Sequence, residues 1–366
     1  MMFTDVVILA GGFGERLWPA SKADFPKQFM ALDGGISFLQ HSILRSLALN
    51  PRGKIVIATR LGLENEISKQ CEALFNQVTE EQKKKLKNDL LIISEPFPKH
   101  TTAPILLCSM LLKKLDSSYK HSMLVLTSDH IIGPVSAFVN DAERAFKSAS
   151  KNHIVTFGIQ PYEPSVGYGY ILTGNMEEDN PSVFKINEFK EKPDQKTAEA
   201  YIAAGNCRWN SGMFAFDCDF FEEELGRCTP EVTEAFESFK SSTLPSPEKI
   251  GEISYIKPWD AMITAYNAVP AIAIDKSLAE KTKNAYAVLA SFNWDDVGSW
   301  DSFEKHCKEK DNNSIFVDSH DCFVYSDIPV ALCGVNDVTV VIKNGKALVM
   351  RKGCSNLVRE AAKKFN

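Results

Sequence analysis

The sequence predicts an α/β protein: a doubly wound sheet with helices on both faces, followed by a small β-rich unit. Three observations carry this reading. Up to about Gln160, short apolar runs alternate with helical patterns, as stacked strand–helix units require. Those runs are continuously apolar rather than alternating, which suits parallel strands covered on both faces. From about Asp311 the pattern changes to short strands punctuated by Gly, Asn and Asp.

The elements follow in order. "DVVILA" is a strand, and "SFLQHSILRSLAL" is a helix whose Ser37 and Gln40 are spaced as a capping box. The strands "KIVIAT", "LLIISE", "MLVLTSDH" and "HIVTFGI" alternate with the helices "LENEISKQCEALF", "TAPILLCSMLLKKL" and "SAFVNDAERAFKSA". "EEQKKKLKND" (80–89) reads as a solvated helix face. Between about 160 and 260, "GYGYILTG", "FKINEFKEKP" and "NSGMFAFD" are strands, and "DQKTAEAYIAAG" and "PEVTEAFESF" are helices. This stretch is expected to be an insertion walling in the ligand side of the sheet. After Asp311, five strands run from "NSIFVDS" to "KALVMRKG", and "SNLVREAAKKF" closes the chain with helical spacing. Periodicity alone does not separate helix from β forms there, and the β-branched content favours strands. The expected division is a catalytic domain over 1–305 and a small domain over 306–366.

Composition narrows the function. With 366 residues, 44% hydrophobic and 24% charged, the chain has the balance of a globular protein. Its net charge of −6 lacks the basic surplus of a general nucleic-acid binder. No nucleic-acid partner is expected, and any phosphate must be held by a few placed cations. Nine cysteines with no CxxC spacing argue against structural zinc and a disulfide framework, and for reduced thiols. No apolar run approaches the ~18 residues of a membrane span. "MMFTD" has no basic lead and "VVILA" is too short for a signal segment. The expectation is a cytoplasmic protein with no membrane partner, folding from its own N-terminus.

The first strand runs into "AGGFGERLWPASKADFPKQ". Ligands of open α/β sheets bind beyond the carboxyl ends of the strands, and glycines there let main-chain N–H groups approach a phosphate. A P-loop is excluded because nothing after Gly11, Gly12 or Gly14 supplies GxxxxGK[ST]. A dinucleotide fingerprint fails because the third glycine position falls on Leu17, which removes a nicotinamide-dependent dehydrogenase. What remains is a glycine turn followed by Arg16 and Lys27. Two fixed cations suit a triphosphate whose pyrophosphate must be neutralised as it leaves. The plain alternative is a tight turn with two surface cations. Carboxylates stand at two further strand or turn ends, Asp129 in "LTSDH" and Asp295–Asp296 in "NWDDVGSW". Carboxylates with phosphate oxygens are the usual environment of Mg²⁺. Asp129 as a simple turn cap is the competing reading.

These motifs carry a resemblance over nearly the whole chain. "LAGGFGERLWPASKADFPKQ" resembles the signature of the sugar-nucleotide pyrophosphorylases, and "PKQ" with the later motifs points to their mannose-1-phosphate guanylyltransferase branch. The resemblance implies a Rossmann-like doubly wound mixed sheet (the nucleotide-diphospho-sugar transferase fold) with a left-handed β-helix-like C-terminal domain. It implies that Leu9, Ala10, Gly11, Gly12, Gly14, Glu15, Arg16, Thr102 and Asp129 line the nucleotide, and that Asp129 and Asp296 hold Mg²⁺. It also implies that Arg16, Lys27 and Lys192 carry the catalysis. "EFKEKP", "WNSGMF", "GYGYI" and "AIDKSLAEKT" supply the sugar-phosphate residues Gly169, Glu191, Lys192, Asn210 and Asp275. Asp295 stands where a small polar residue is usual, so it is expected only behind the metal ligands. Ala273 stands in place of a serine, and His100 and Thr101 in place of Arg and Asn, beside the base. Trp18, Trp209, Trp294 and Trp300 cluster near the motifs, with core packing as their expected role.

The implied reaction is GMP transfer from GTP to α-D-mannose 1-phosphate, giving GDP-mannose and pyrophosphate. Two alternatives stay open: the same transfer with another hexose 1-phosphate or nucleotide, and a non-catalytic regulatory relative. Longer relatives append a cupin isomerase domain for which this chain is too short, so no phosphomannose isomerase activity is expected. The β-rich tail is expected to support a homodimer.

Overall fold

A computed structural model describes residues 3–12, 14–32, 35–307 and 314–365. Asp311, where the sequence pattern changes, and Asn313, which opens the first predicted C-terminal strand, lie outside them. By internal contacts the chain forms two units. The larger comprises 1–11, 42–127 and 132–294; the smaller comprises 12–41, 128–131 and 295–366.

The larger unit is built on one sheet of eleven strands. In chain order these are β1 (Asp5–Leu9), β2 (Ile55–Arg60), β3 (Leu90–Glu95), β4 (Ser122–Thr127), β5 (Ile154–Ile159), β6 (Gly169–Met176), β7 (Val183–Glu191), β8 (Cys207–Asp217), β9 (Glu248–Ile250), β10 (Ile253–Ile256) and β11 (Ala285–Leu289). Their order in the sheet is β9-β10-β3-β2-β1-β4-β8-β5-β11-β7-β6. The stretch from β10 to β4 is parallel throughout. β8 then runs antiparallel to both β4 and β5, which makes the sheet mixed. The parallel strands are the apolar runs of the sequence, and β1, β2 and β3 are buried along almost their whole lengths.

Helices cover this sheet as their composition dictates. Thr102–Leu115 is apolar on all sides and is buried from Thr102 to Leu112, as a helix without a polar face must be. Glu80–Asp89 buries only Leu86 and is opened by a Thr79–Gln82 capping box, the solvated helix the charges predict. The Ser37–Gln40 box is also present, with each backbone N–H donating to the other residue's side chain.

Two expectations change. The middle strands are not a separate wall, because β6, β7 and β8 hydrogen-bond into the main sheet. The cause is the length of β8: eleven residues reach β4, β5 and β6 in turn. The predicted strand through His130 stops at Thr127, and Asp129 turns instead to an ion pair with Lys27. β9, β10 and β11 were not marked in the sequence. β9 is a short, exposed edge strand, of the kind that natural sheets keep charged.

In the smaller unit, Ser314–Val317 pairs in parallel with Val330–Cys333, and Phe323–Ser326 with Val338–Lys343. Both pairings are offset by sixteen residues, as is the bridge between His320 and Asn336. The corners repeat at the same offset: Asp318 matches Gly334 and Asp321 matches Asp337, all with positive φ. This is one coil of chain laid on another, the β-helix-like form expected. Lys346–Arg351 returns antiparallel to Val338–Lys343, and the helix Val358–Phe365 follows. One apolar core joins Leu17, Trp18 and Met30 to Trp300, Val341, Leu348, Val358 and Ala362. The C-terminal strands therefore share their core with the segment that follows the glycine turn. Among the described residues no helix is long and apolar enough to cross a membrane.

Candidate active site

The site starts where β1 and β4 end. Leu9 pairs with Thr127, so the glycine turn and "SDH" leave from neighbouring parallel strand ends, the edge at which such sheets bind ligands. In the smaller unit Gly14 has φ +65°, and a Cβ there would lie 2.7 Å from both the Cβ and the N of Lys27. Only glycine permits this backbone and this approach. Ser21 Oγ donates to the Gly14 carbonyl at 2.5 Å and fixes the turn. Gly12 is exposed, with nothing within 4 Å of an added Cβ.

A cleft of about 370 Å³ is lined by Gly14, Glu15, Arg16, Lys27, Asp129, His130, Asp296, Gly298 and Arg359, among others. Lys27 is buried, and its Nζ lies 3.0 Å from Asp129 Oδ2. The same ammonium donates to the Asp296 carbonyl and stands 5.3 Å from the Phe38 ring centre. Burial alone would raise the Asp129 pKa; the charges of Lys27, His130 and Arg16 overcome it and hold the carboxyl below its ordinary value. Arg16 is exposed. A Cβ on Gly298 would lie 3.0 Å from Arg16 Nη1 and 2.9 Å from Asp296 Oδ2, so glycine leaves room for the guanidinium beside the carboxylate.

The donor set fits Mg²⁺. No group of three or more His, Cys, Asp or Glu that would cage a metal occurs among the described residues. Two carboxylates in one cleft are instead what Mg²⁺ uses when substrate phosphates and water complete its shell. Asp295 does not join them. Its Oδ1 accepts from Val297 N at 2.6 Å and Ser302 Oγ at 2.7 Å, and its Oδ2 lies 2.9 Å from His306 Nε2. Burial pushes its pKa up, but these contacts outweigh that and hold it down. Asp295 thus ties the 296–298 turn to the helix Trp300–His306.

In the larger unit, all five predicted sugar-phosphate residues come together. Gly169 pairs with Glu191 across β6 and β7, and a Cβ at Gly169 would lie 2.5 Å from Glu191 Oε2. Asn210 is held on both sides of its amide: Oδ1 accepts from Thr156 Oγ1 at 2.7 Å, and Nδ2 donates to Asp275 Oδ1 at 2.8 Å. Asp275 is pushed up to about 6, by burial first and by the Glu191 charge second. Lys192, with φ +47°, turns its ammonium onto Glu191. Glu280 accepts from the Glu191 backbone N–H at 3.0 Å and from Lys276 at 2.6 Å.

Other expected nucleotide-site residues are buried or bonded within the larger unit. Thr102 is fully buried and its hydroxyl lies 2.8 Å from Ser277 Oγ, because its helix has no polar face to turn outward. Ala10 is buried, and its N–H and C=O bond Ala58 and Thr59. Leu9 ends β1, and Gly11 faces Glu95, whose Oε1 would lie 3.3 Å from a Cβ on the glycine. Trp18, Trp209 and Trp300 are buried core residues as expected, and Trp294 is half-buried. Glu95, His130, Glu280 and Arg359 were not among the residues expected at the site. The charge at the end of the apolar run "LLIISE" was the available signal for Glu95; nothing marked the others.

Comparison with known proteins gives the chain its family. Residues 5–313 match the nucleotidyl transferase family, and residues 312–365 match the mannose-phosphate isomerase/GMP-like β-helix domain. The chain is 33% identical to the mannose-1-phosphate guanylyltransferase of Salmonella montevideo, over 98% of this chain and 73% of that protein. It is 31% identical to the enzyme of that name from Escherichia coli K12, over 98% and 73%. A crystal structure from Thermus thermophilus, described as a mannose-1-phosphate geranyltransferase, superposes with TM-score 0.80 at 27% identity, covering 99% of each chain. Similarity that runs nearly end to end and joins both halves of the chain in one relative leaves a single assignment: this chain belongs to the nucleotidyl transferase family, among the mannose-1-phosphate guanylyltransferases.

Proposed function

We propose that the protein transfers GMP from GTP to α-D-mannose 1-phosphate with Mg²⁺, forming GDP-mannose and pyrophosphate. The observation that carries the chemistry is the meeting of Arg16, Lys27, Asp129 and Asp296 around one cleft at the glycine turn. The substrate pair is supported by the names of the relatives.

A phosphate oxygen of the sugar monoester attacks the α-phosphorus. The bond to the bridging oxygen breaks, and its electron pair leaves with pyrophosphate. The attacking oxygen is already anionic, so no side chain need remove a proton. The protein's work is alignment and charge neutralisation. Glu191, Asn210 and Asp275 offer acceptors and a donor to hexose hydroxyls, and Lys192 meets the sugar phosphate. Arg16 meets the departing pyrophosphate. Lys27 fixes Asp129 and the 296 carbonyl while keeping a positive charge at the same place. Asp129 and Asp296 would hold Mg²⁺, which supplies divalent charge to phosphate oxygens when bound.

The nine cysteines form no disulfide, which suits a cytoplasmic setting. Exposed Ile315, Val317 and Val349 on the C-terminal strands support a homodimer through that unit. The deciding assay offers four nucleoside triphosphates against several hexose 1-phosphates, with and without Mg²⁺, and reads pyrophosphate release. Turnover is expected for GTP with mannose 1-phosphate. Preference for another pair, or none at all, overturns the proposal.

A further inference from the structure

We propose that Arg359, on the C-terminal helix, is a further phosphate-binding residue that meets the pyrophosphate half of the nucleoside triphosphate. The inference rests on reading the cleft at the glycine turn as the triphosphate site, and it goes beyond that reading by drawing the β-helix-like segment into catalysis.

Arg359 lines the same cleft as Arg16, Lys27, Asp129 and Asp296. Its Nε lies 3.0 Å from Glu15 Oε2, on the residue next to Arg16. Both partners are largely exposed, 62% and 46% at the side chain, and such a pair holds weakly. A phosphate carrying more than one charge outcompetes a single carboxylate for the guanidinium. The ion pair uses Nε, and among the described residues the two terminal nitrogens make no hydrogen bond or ion pair. A planar fork of this kind matches two phosphate oxygens at once.

The need for a second such cation follows from Lys27. Its ammonium is buried and committed to Asp129 and the Asp296 carbonyl, so it brings its positive charge to the cleft with two of its three N–H donors already used. The helix Val358–Phe365 is also fixed in place. Val358 and Ala362 are buried in the core that contains Leu17 and Trp18, and the Phe365 ring stacks on Trp18 with centroids 5.1 Å apart. The helix that presents Arg359 is thus packed on the segment that presents Arg16, and the two cations keep a constant relation.

Steady-state kinetics of Arg359→Ala and Arg359→Lys, in the synthetic direction and in pyrophosphorolysis, test this. The expected result for Arg359→Ala is a KM for pyrophosphate and for the nucleoside triphosphate raised by about 10-fold or more, the loss of one charge-assisted contact. The KM for the sugar 1-phosphate and the thermal midpoint stay at wild-type values, and Arg359→Lys recovers part of the loss. Unchanged kinetics in Arg359→Ala overturn the proposal. So does a uniform loss in all substrates with a lowered thermal midpoint, which is the mark of a purely structural residue. Wild-type protein in the same assay separates the two failures. A silent wild type sinks the reading of the cleft, whereas an active wild type with an indifferent variant sinks only the role of Arg359.

Discussion

Lys27 illustrates how one residue acquires two duties. Its position after Pro26 puts it behind the glycine turn, where Gly14 presses against its backbone. Its ammonium then joins the Asp129 carboxylate to the Asp296 carbonyl. Arg16→Ala and Lys27→Ala are each expected to lower kcat by ~10²-fold or more, the scale of losing one transition-state charge contact; near-normal turnover in either removes it from the reaction. The two glycines differ in kind. Gly14→Ala places a methyl on the Lys27 backbone at positive φ, so a loss of about 1–2 kcal/mol in unfolding free energy is expected along with lost activity. Gly12→Ala meets nothing and should melt like the wild type, with a higher KM for the triphosphate if its backbone lies against phosphate. Equal melting of both variants contradicts the strain argument. Arg16, Lys27 and Asp129 could be picked out from the sequence because they follow a glycine turn, a proline and a strand end, whereas Glu191, Asn210 and Asp275 were marked only by the family resemblance. Arg359 was not marked, since one arginine in an amphipathic helix carries no local sign of the cleft it reaches.

At the scale of elements, the turn "NWDDVGSW" separates two carboxylates one residue apart. Asp295 spends its oxygens on Val297, Ser302 and His306, while Asp296 lines the cleft. Ser299 completes the arrangement as N-cap of the helix Trp300–His306. Asp295→Ala should therefore cost about 1–3 kcal/mol of stability through the unpaired groups it leaves, with a smaller rise in the Mg²⁺ concentration for half-maximal rate than Asp296→Ala shows. Asp296, whose Oδ1 also accepts from Gly298 N at 3.2 Å, should differ on substitution by alanine in needing more Mg²⁺ and losing turnover. A Mg²⁺ titration of rate beside a thermal melt checks both, and exchanged phenotypes overturn the assignment. The same contrast explains which elements could be read. β1 to β4 are apolar runs with flanking helices and were visible from pattern alone. β9 and β10 lie in "EKIGEISYIK", where charge hides a strand that only its neighbour β3 defines. The coils after residue 314 were visible as strands. Their sixteen-residue offset was not, because the residues it superposes differ in kind, as Ser314 with Val330 and Phe323 with Thr339.

For the whole molecule, the buried Glu95 ties folding to pH. It closes β3 beside Gly11, and among the described residues its side-chain hydrogen-bond partner is Tyr266, whose hydroxyl donates at 3.1 Å. Burial pushes its pKa from 4.5 up to about 8, against the small lowering from that hydrogen bond. Below 4.5 the carboxyl holds its proton in the folded and the unfolded chain alike, and stability does not depend on it. Between 4.5 and about 8 the unfolded chain releases a proton that the folded chain keeps, so rising pH draws the equilibrium toward unfolding. The slope is at most about 1.4 kcal/mol per pH unit, and it ends once the folded carboxyl ionises. Other carboxylates, Asp129 and Asp295 among them, are held below their ordinary values and act in the opposite sense at lower pH, so total stability does not isolate Glu95. The difference between wild type and Glu95→Gln does, because glutamine keeps the shape and an acceptor for Tyr266 without a proton to lose. Denaturant unfolding of both proteins at several pH values between 4.5 and 8.5 should show the variant gaining on the wild type steadily as pH rises, then holding a fixed lead. A gap that stays constant across that range would mean that Glu95 reaches water in the folded protein and ionises at its ordinary value.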